Sequence, residues 1–489
     1  MDRHPELAEL SATELSRKLA GKELSSVELV QMSLDRIAAL DATLTRSVLE
    51  LNPDALAIAR RSDSERRRGV TRGPLHGLPL LVKDNIDTGD RMQTTAGSLA
   101  LMGAPAPRDA PLVTQLRRAG AVLIGKTNLS EWANIRSSRS SSGWSGRGRQ
   151  TRNPHVLDRT PSGSSSGSGV AAAAGYAAIT IGTETDGSII SPSTANGIVG
   201  IKPGVGVVSG RGIIPISHVQ DSAGPMVRTV QDAAAVLSVI AQRPANYTRA
   251  LKKDALRGKR LGVLREPFTG YSEHTDRCYE NSLAALKHCG AVLVDVDFPS
   301  AKALRESGLE LDALMHELKA DLNAYLQGRN GLGVRTLADV IRWNKTHADE
   351  EMPYFQQELF ERAQKTRGLD NKKYREMRET LTRLAGTDGI DSVLRKHRLA
   401  ALVAPSGPPA AVIDEIAGEK HLGGSTQPSA VAGYPVITVP AGNAFGLPLG
   451  LCMFAGAGTE GRLLGFAYAY EQATMARIVP KFLPALTLA

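Results

Sequence analysis

Apolar residues recur at three- and four-residue intervals near the start of the chain, where Val27, Val30, Leu34 and Ile37 mark one face of a helix. Ser11 with Glu14, and Ser25 with Glu28, have the spacing in which hydroxyl and carboxylate satisfy free backbone donors reciprocally, so two capped helices are predicted here. From Gly73 to about Gly224 the pattern changes to short aliphatic runs (LPLLV, AVLIG, AAITIG, GIVGIKP) separated by Gly/Ser/Pro turns and apolar helical stretches. Runs without polar alternation bury both faces of a strand, which reads as α/β. Between about 300 and 400 the chain becomes charged and helix-periodic with few turn signals, which predicts a helical insertion or lid and a candidate substrate-specific wall. Strand texture returns at LAALVAP (399–405) and AGYPVITVPAG (432–442), so parts distant in sequence share one sheet. One interrupted domain is expected: an N-terminal helical segment at 1–70, an α/β core at 71–300, the insertion at 301–398 and a return to the core at 399–489.

Composition narrows the class. With 489 residues, 42% hydrophobic and 22% charged, the chain can bury a large core and is neither disordered nor of low complexity. Its three cysteines, Cys278, Cys289 and Cys452, have no metal spacing and supply no disulfide framework, which points to a reducing compartment. The start, MDRHPELAEL, lacks a signal pattern, and no stretch reaches the roughly 18 apolar residues of a membrane span, so a cytoplasmic location is expected. A net charge of +9 is modest for this length. The clusters Arg60, Arg61, Arg66, Arg67, Arg68 and Arg147, Arg149, Arg152 lack the interleaved aromatics of a single-strand platform and read as a solvated face, with no nucleic-acid or membrane partner. Ten scattered histidines without HExxH or a Cys/His cluster give no reason to expect a metal or cofactor.

Residues 120–127, GAVLIGKT, match the phosphate-loop pattern, but Ala121 to Ile124 is itself an apolar strand where such a loop needs small or polar residues. The stretch 161–188, PSGSSSGSGVAAAAGYAAITIGTETDGS, is more informative: two Gly/Ser turns bracket one helix–strand unit and could meet at the strand's end. A serine nucleophile needs a base, and histidine is the usual one. Here none lies between His155 and His218, and neither has a recognisable acid orienter. Lysine can serve if neutral, although lowering its pKa from about 10.4 to about 7 takes roughly 4.6 kcal/mol of differential stabilisation, a shift within the reach of burial. Lys83, Lys126 and Lys202 each follow an apolar run, so position alone does not choose among them.

Together GPLHGLPLLVKDNI (73–86), GAVLIGKTNLSEWA (120–133), SGSSSGSGVAAAAG (162–175), GTETDGSIISPSTANGIVGIKP (182–203), DSAGPM (221–226) and PSAVAGYPVITVPAG (428–442) resemble the amidase signature family, from about Ser11 to Ala473. MQTTAGSLAL, SGWSGRGRQTRNP and GTETDGSI look most like its bacterial peptide amidases, which deamidate C-terminally amidated peptides. The fold this implies is α/β, a large mixed, mostly parallel central sheet flanked by helices on both faces. The family's Ser–cis-Ser–Lys triad falls on Ser188 as nucleophile, Ser164 as cis-serine and Lys83 as base, and its backbone oxyanion hole on Thr185, Asp186, Gly187 and Ser188. The segment lining the acyl site falls on Trp132, Ala133 and Asn134; Trp144, Gln220 and Asp221 are further pocket candidates, while Ser165 and Ser166 read as turn-stabilising hydroxyls. Two departures stand out: Asp186-Gly187-Ser188-Ile189-Ile190 replaces the commoner Gly-Gly-Ser-Ile-Arg, and Glu184 stands where Asp is more usual. The resemblance implies a seryl acyl-enzyme hydrolysing peptide or aryl amides as a monomer or homodimer without a cofactor. The alternatives on the same triad are carbamate or ester cleavage and the catalytic subunit of an amidotransferase; a non-catalytic binding protein on this fold is disfavoured by the three competent side chains.

Overall fold

The computed structural model describes residues 3–486; the first two residues of the 1–70 segment and the last three of the 399–489 segment lie outside the described residues. Both predicted capping boxes form, Ser11–Glu14 before the helix Ala12–Ala20 and Ser25–Glu28 before Ser26–Leu40.

The centre is one mixed sheet of eleven strands: β1 (Val48–Leu51), β2 (Pro79–Lys83), β3 (Val122–Thr127), β4 (Ile179–Glu184), β5 (Val199–Lys202), β6 (Ser222–Val227), β7 (Arg260–Leu264), β8 (Val292–Val296), β9 (Ala401–Pro405), β10 (Val436–Ala444) and β11 (Leu447–Phe454). Their order is β1-β3-β2-β4-β6-β5-β10-β11-β9-β7-β8. The late strands β9 to β11 thus sit between β5 and β7, as one interrupted sheet requires. The α/β class and the mixed sheet hold, but the expected parallel majority does not. Pairing is parallel only in β3–β2–β4 and β9–β7–β8 and antiparallel at the other contacts. Apolar runs report burial of both faces and not strand direction. The hairpin β10–β11, for example, turns through Phe445 and Gly446 at φ 53 and 85, the two left-handed residues of a tight antiparallel connection.

Alternation along β2 places Leu80 and Val82 in the large core on one face and Leu81 in a second core with Val30, Ile37 and Tyr176 on the other. Helices therefore cover both faces, and the strand ends lie deep inside. Between β8 and β9 runs a chain of helices from Pro299–Ser307 to Asp391–His397. The helix Leu309–Gln327 packs Leu314, Leu318, Leu322 and Leu326 with Trp132, Leu129, Ile214 and Ile216 of the sheet domain, so insertion and sheet share a core.

Candidate active site

β2 is buried throughout and ends on Lys83, whose side chain has no solvent exposure. Its register beside β4, Val82 opposite Ile181, carries the amine toward the last residues of β4. Lys83 Nζ lies 2.8 Å from Ser164 Oγ, 3.0 Å from Ser165 Oγ, and 2.9 and 3.3 Å from Thr183 Oγ1 and the Thr183 carbonyl. Burial dominates its electrostatics and brings the pKa down to about 7, against the opposing pull of Asp221 and Glu184. Lys126 and Lys202 are also buried and fall to about 8, but their amines are spent elsewhere. Lys126 bonds the Ile86 carbonyl at 2.7 Å and Thr94, and Lys202 bonds the Tyr434 carbonyl at 2.6 Å. Burial alone would not separate the three lysines; contact with the serine loop does.

The serine loop approaches on a tight backbone. A Cβ on Gly163 would fall 2.2 Å from Ser130 Oγ, so only glycine lets the chain pass there. The Gly163–Ser164 peptide is cis, and the Ser164 carbonyl is held by the Ser130 N–H at 3.0 Å. Ser165 heads the helix Ser166–Ala173; its hydroxyl donates to the Thr183 carbonyl at 2.9 Å and accepts from the Thr183 N–H at 3.1 Å.

Ser188 lies in the turn that joins β4 to the helix Ile190–Ala195. Gly187 adopts φ 78, and Glu184 Oε2 accepts the Ile189 and Ile190 N–H groups at 2.7 and 2.9 Å, pinning the turn from below. The Ser165 N–H donates to the Ser188 carbonyl at 3.1 Å, which places the two turns side by side. Lys83 and Ser164 are thus hydrogen-bonded, whereas Ser188 joins them through its backbone and its hydroxyl makes no hydrogen bond to Ser164. Thr185 Oγ1 donates to Asp221 Oδ1 at 2.6 Å, and the other Asp221 oxygen accepts from the Ile216 and Ser217 N–H groups. Burial pushes Asp221 up to about 6. Burial, and next the Glu310 carboxylate, hold Asp186 well above the usual carboxylate range.

A cavity of about 20 Å³, room for a water, opens here between Asn85, Ala133, Thr183, Thr185, Ile216 and Asp221. Of the expected pocket residues, Ala133 lines it and Asn134 is half-buried; both adopt left-handed backbone, φ 54 and 71. Trp132 departs from expectation: it is buried edge-on against Phe360 in the core shared with the insertion. Gln220 is likewise buried, its amide engaged by Glu310 and Arg378, because the insertion covers the strand end where it sits. Trp144 packs on Phe355 and Arg136. His155, buried and pushed down to about 4, donates to the Asn196 carbonyl, and His218 pairs with Asp321; neither bonds the serines. Sequence reasoning missed Thr183 as a partner of Lys83, and it missed Asn85, whose amide holds Thr183 Oγ1 at 3.0 Å. Both depend on strand register, which no local motif reports. Among the described residues no group of three or more His, Cys, Asp or Glu is placed to hold a metal, and no helix is long and apolar enough to cross a membrane.

The chain is similar over most of its length to known amidases. The structure superposes on the native peptide amidase of Stenotrophomonas maltophilia with a TM-score of 0.93, at 48% identity over 97% of this chain and 99% of that one. A probable amidase of Arabidopsis thaliana is 39% identical over 94% of this chain and 89% of its own length. A glutamyl-tRNA(Gln) amidotransferase subunit of Chloroflexus aurantiacus is 34% identical over 96% of this chain and 97% of its own. The family model described as Amidase matches residues 28–464, and the chain belongs to that family.

Proposed function

We propose that the protein hydrolyses the terminal carboxamide of peptides through a seryl acyl-enzyme, with Ser188 as nucleophile, Ser164 as relay and Lys83 as base. Amide C–N hydrolysis follows from membership of the amidase family; the peptide substrate is suggested by the likeness to a peptide amidase. The observation that carries the mechanism is the buried Lys83 amine, near pKa 7, in contact with Ser164.

A neutral amine has two N–H donors and one lone pair. Ser165 has committed its proton to the Thr183 carbonyl, so toward Lys83 it can only accept. Ser164 makes no such commitment and is the serine free to donate to the lone pair. As Ser188 Oγ bonds the substrate carbonyl carbon, its proton passes to Ser164 and that of Ser164 to Lys83. The Ser188–Ser164 contact closes in this step, since such hydrogen bonds tighten only in the complex. The carbonyl oxygen becomes an anion facing the N–H groups of Thr185, Asp186, Gly187 and Ser188, each such donor typically worth ~3 kcal/mol. The C–N bond then breaks as the relay returns a proton to nitrogen, which leaves as ammonia. Water hydrolyses the ester by the same route and releases the peptide acid.

Two measurements test this. Mass spectrometry after a fluorophosphonate should find the adduct on Ser188, and modification elsewhere with retained activity would refute the assignment. Rates on a peptide amide, an anilide, a carbamate and an ester should rank the peptide amide first; a carbamate or ester in that place would move the substrate while keeping the triad. The amidotransferase relative shares 34% identity, so turnover by the chain alone distinguishes the readings.

A further inference from the structure

Gln220 and Asp221 face the two oxygen atoms of Thr185. Asp221 takes the hydroxyl, and Gln220 Nε2 lies 3.5 Å from the Thr185 carbonyl oxygen. The same Nε2 donates to Glu310 Oε1 at 2.8 Å, while Gln220 Oε1 accepts from Arg378 Nη1 at 2.8 Å. A guanidinium can only donate, so Arg378 decides which end of this buried amide is oxygen and turns both N–H bonds toward Glu310 and Thr185. Arg378 is itself fixed by both oxygens of Glu317, which also accepts from Tyr374 at 2.7 Å and from Ser217. Arg378 lies on the helix Lys372–Thr382, and Glu310 and Glu317 on Leu309–Gln327, both within the insertion.

In a planar trans peptide the C=O and the following N–H point in opposite directions. Anchoring the Thr185 oxygen therefore sets the direction of the Asp186 N–H, one of the four donors assigned to the oxyanion. We propose that Gln220 is a positioning residue for the oxyanion hole, and that Arg378 sets its orientation, so that the helical insertion governs the rate of the chemical step. The inference rests on the acyl-enzyme reading above and adds a group that touches neither substrate nor triad.

The test compares wild type with Gln220→Glu, Gln220→Met and Arg378→Lys on a peptide amide, together with inhibition by the matching peptide aldehyde. Addition of Ser188 Oγ to the aldehyde forms a hemiacetal whose oxygen occupies the hole, whereas KM for the amide reports largely on the rest of the cleft. Gln220→Glu keeps the acceptor for Arg378 and loses both donors; Gln220→Met keeps the volume and loses the whole amide. Arg378→Lys keeps the charge facing Glu317 but not the fork that reaches Gln220, and it carries the test if the Gln220 variants do not fold. The expected result is a fall in kcat of roughly 10- to 100-fold for the Gln220 variants, a smaller fall for Arg378→Lys, KM within about threefold, and aldehyde affinity reduced in step with kcat. Folded variants that keep kcat and aldehyde affinity within about twofold of wild type, or that lose affinity through KM alone, would overturn the inference. A wild type inert to both amide and fluorophosphonate would instead overturn the acyl-enzyme reading on which it depends.

Discussion

Three hydroxyls surround the Lys83 amine, and their hydrogen bonds divide the work between them. Ser165 fastens the serine loop to β4 through both N–H and C=O of Thr183, while Ser164 has its proton free. Ser164→Ala should therefore cut kcat for amides by about two orders of magnitude or more with little change in melting. Ser165→Ala should lower the melting midpoint, at a cost of about 1–3 kcal/mol for the orphaned buried Thr183 N–H. Stopped assays and thermal unfolding of the pair check this division. Burial brings the Lys83 amine down to about 7. A base of pKa about 7 makes kcat/KM climb with pH below that value and level off above it. The same shift sets a stability slope: between about 7 and 10.5 the unfolded chain holds a proton on Lys83 that the folded chain lacks, so stability rises with pH across that window. Lys83→Met removes this term along with activity. Its melting midpoint at pH 7 should equal or exceed that of wild type, the difference shrinking toward pH 10.5.

The turn that carries Ser188 is a short element whose shape comes from one glycine and one carboxylate. Gly187 sits at φ 78, and a Cβ there would come within 3.1 Å of Ser191 Oγ and 3.2 Å of Thr426 Oγ1. Gly187→Ala should cost roughly 1–2 kcal/mol of folding stability from the left-handed backbone alone. Because the strain falls on the turn proposed to hold the oxyanion, kcat should drop by about tenfold or more, read from kcat and chemical denaturation of the same sample. Elements of this size were partly legible in the sequence. β2 could be placed because the five residues between Gly77 and Lys83 are all apolar, and the two capping boxes because their spacing is local. The residue-level choice of Lys83 over Lys126 and Lys202 came from family likeness, and the contact that separates them depends on β2 lying beside β4, a pairing between residues a hundred positions apart. The burial of Gln220 and Trp132 is hidden for a related reason: a polar or aromatic residue near a motif gives no sign that a helix from position 309 onward will cover it.

At the scale of the molecule the insertion is welded to the sheet domain. Leu322 and Leu318 share a core with Trp132 and Leu129, and Glu351 reaches across to the Ser98 hydroxyl and the Leu99 N–H. Leu322, with no exposed surface, should cost about 2–5 kcal/mol when replaced by Ala. The loss should appear as a shift of one unfolding transition seen by both near-ultraviolet dichroism and activity, since insertion and sheet unfold together; two separated transitions would contradict the shared core. The mixed direction of the sheet had no signature in the sequence, as strands buried on two faces look alike whichever way they run. The return of β9 to β11 into the middle of the sheet was foreshadowed by strand texture after position 399, though not the order in which they pair. Lys83, the proposed base, stands where β2 ends between β3 and β4, well inside the sheet and not on a loop. Warming such a catalyst should leave it fully competent until the whole scaffold gives way, so heat inactivation and loss of shape become a single event, and any additive that protects one protects the other.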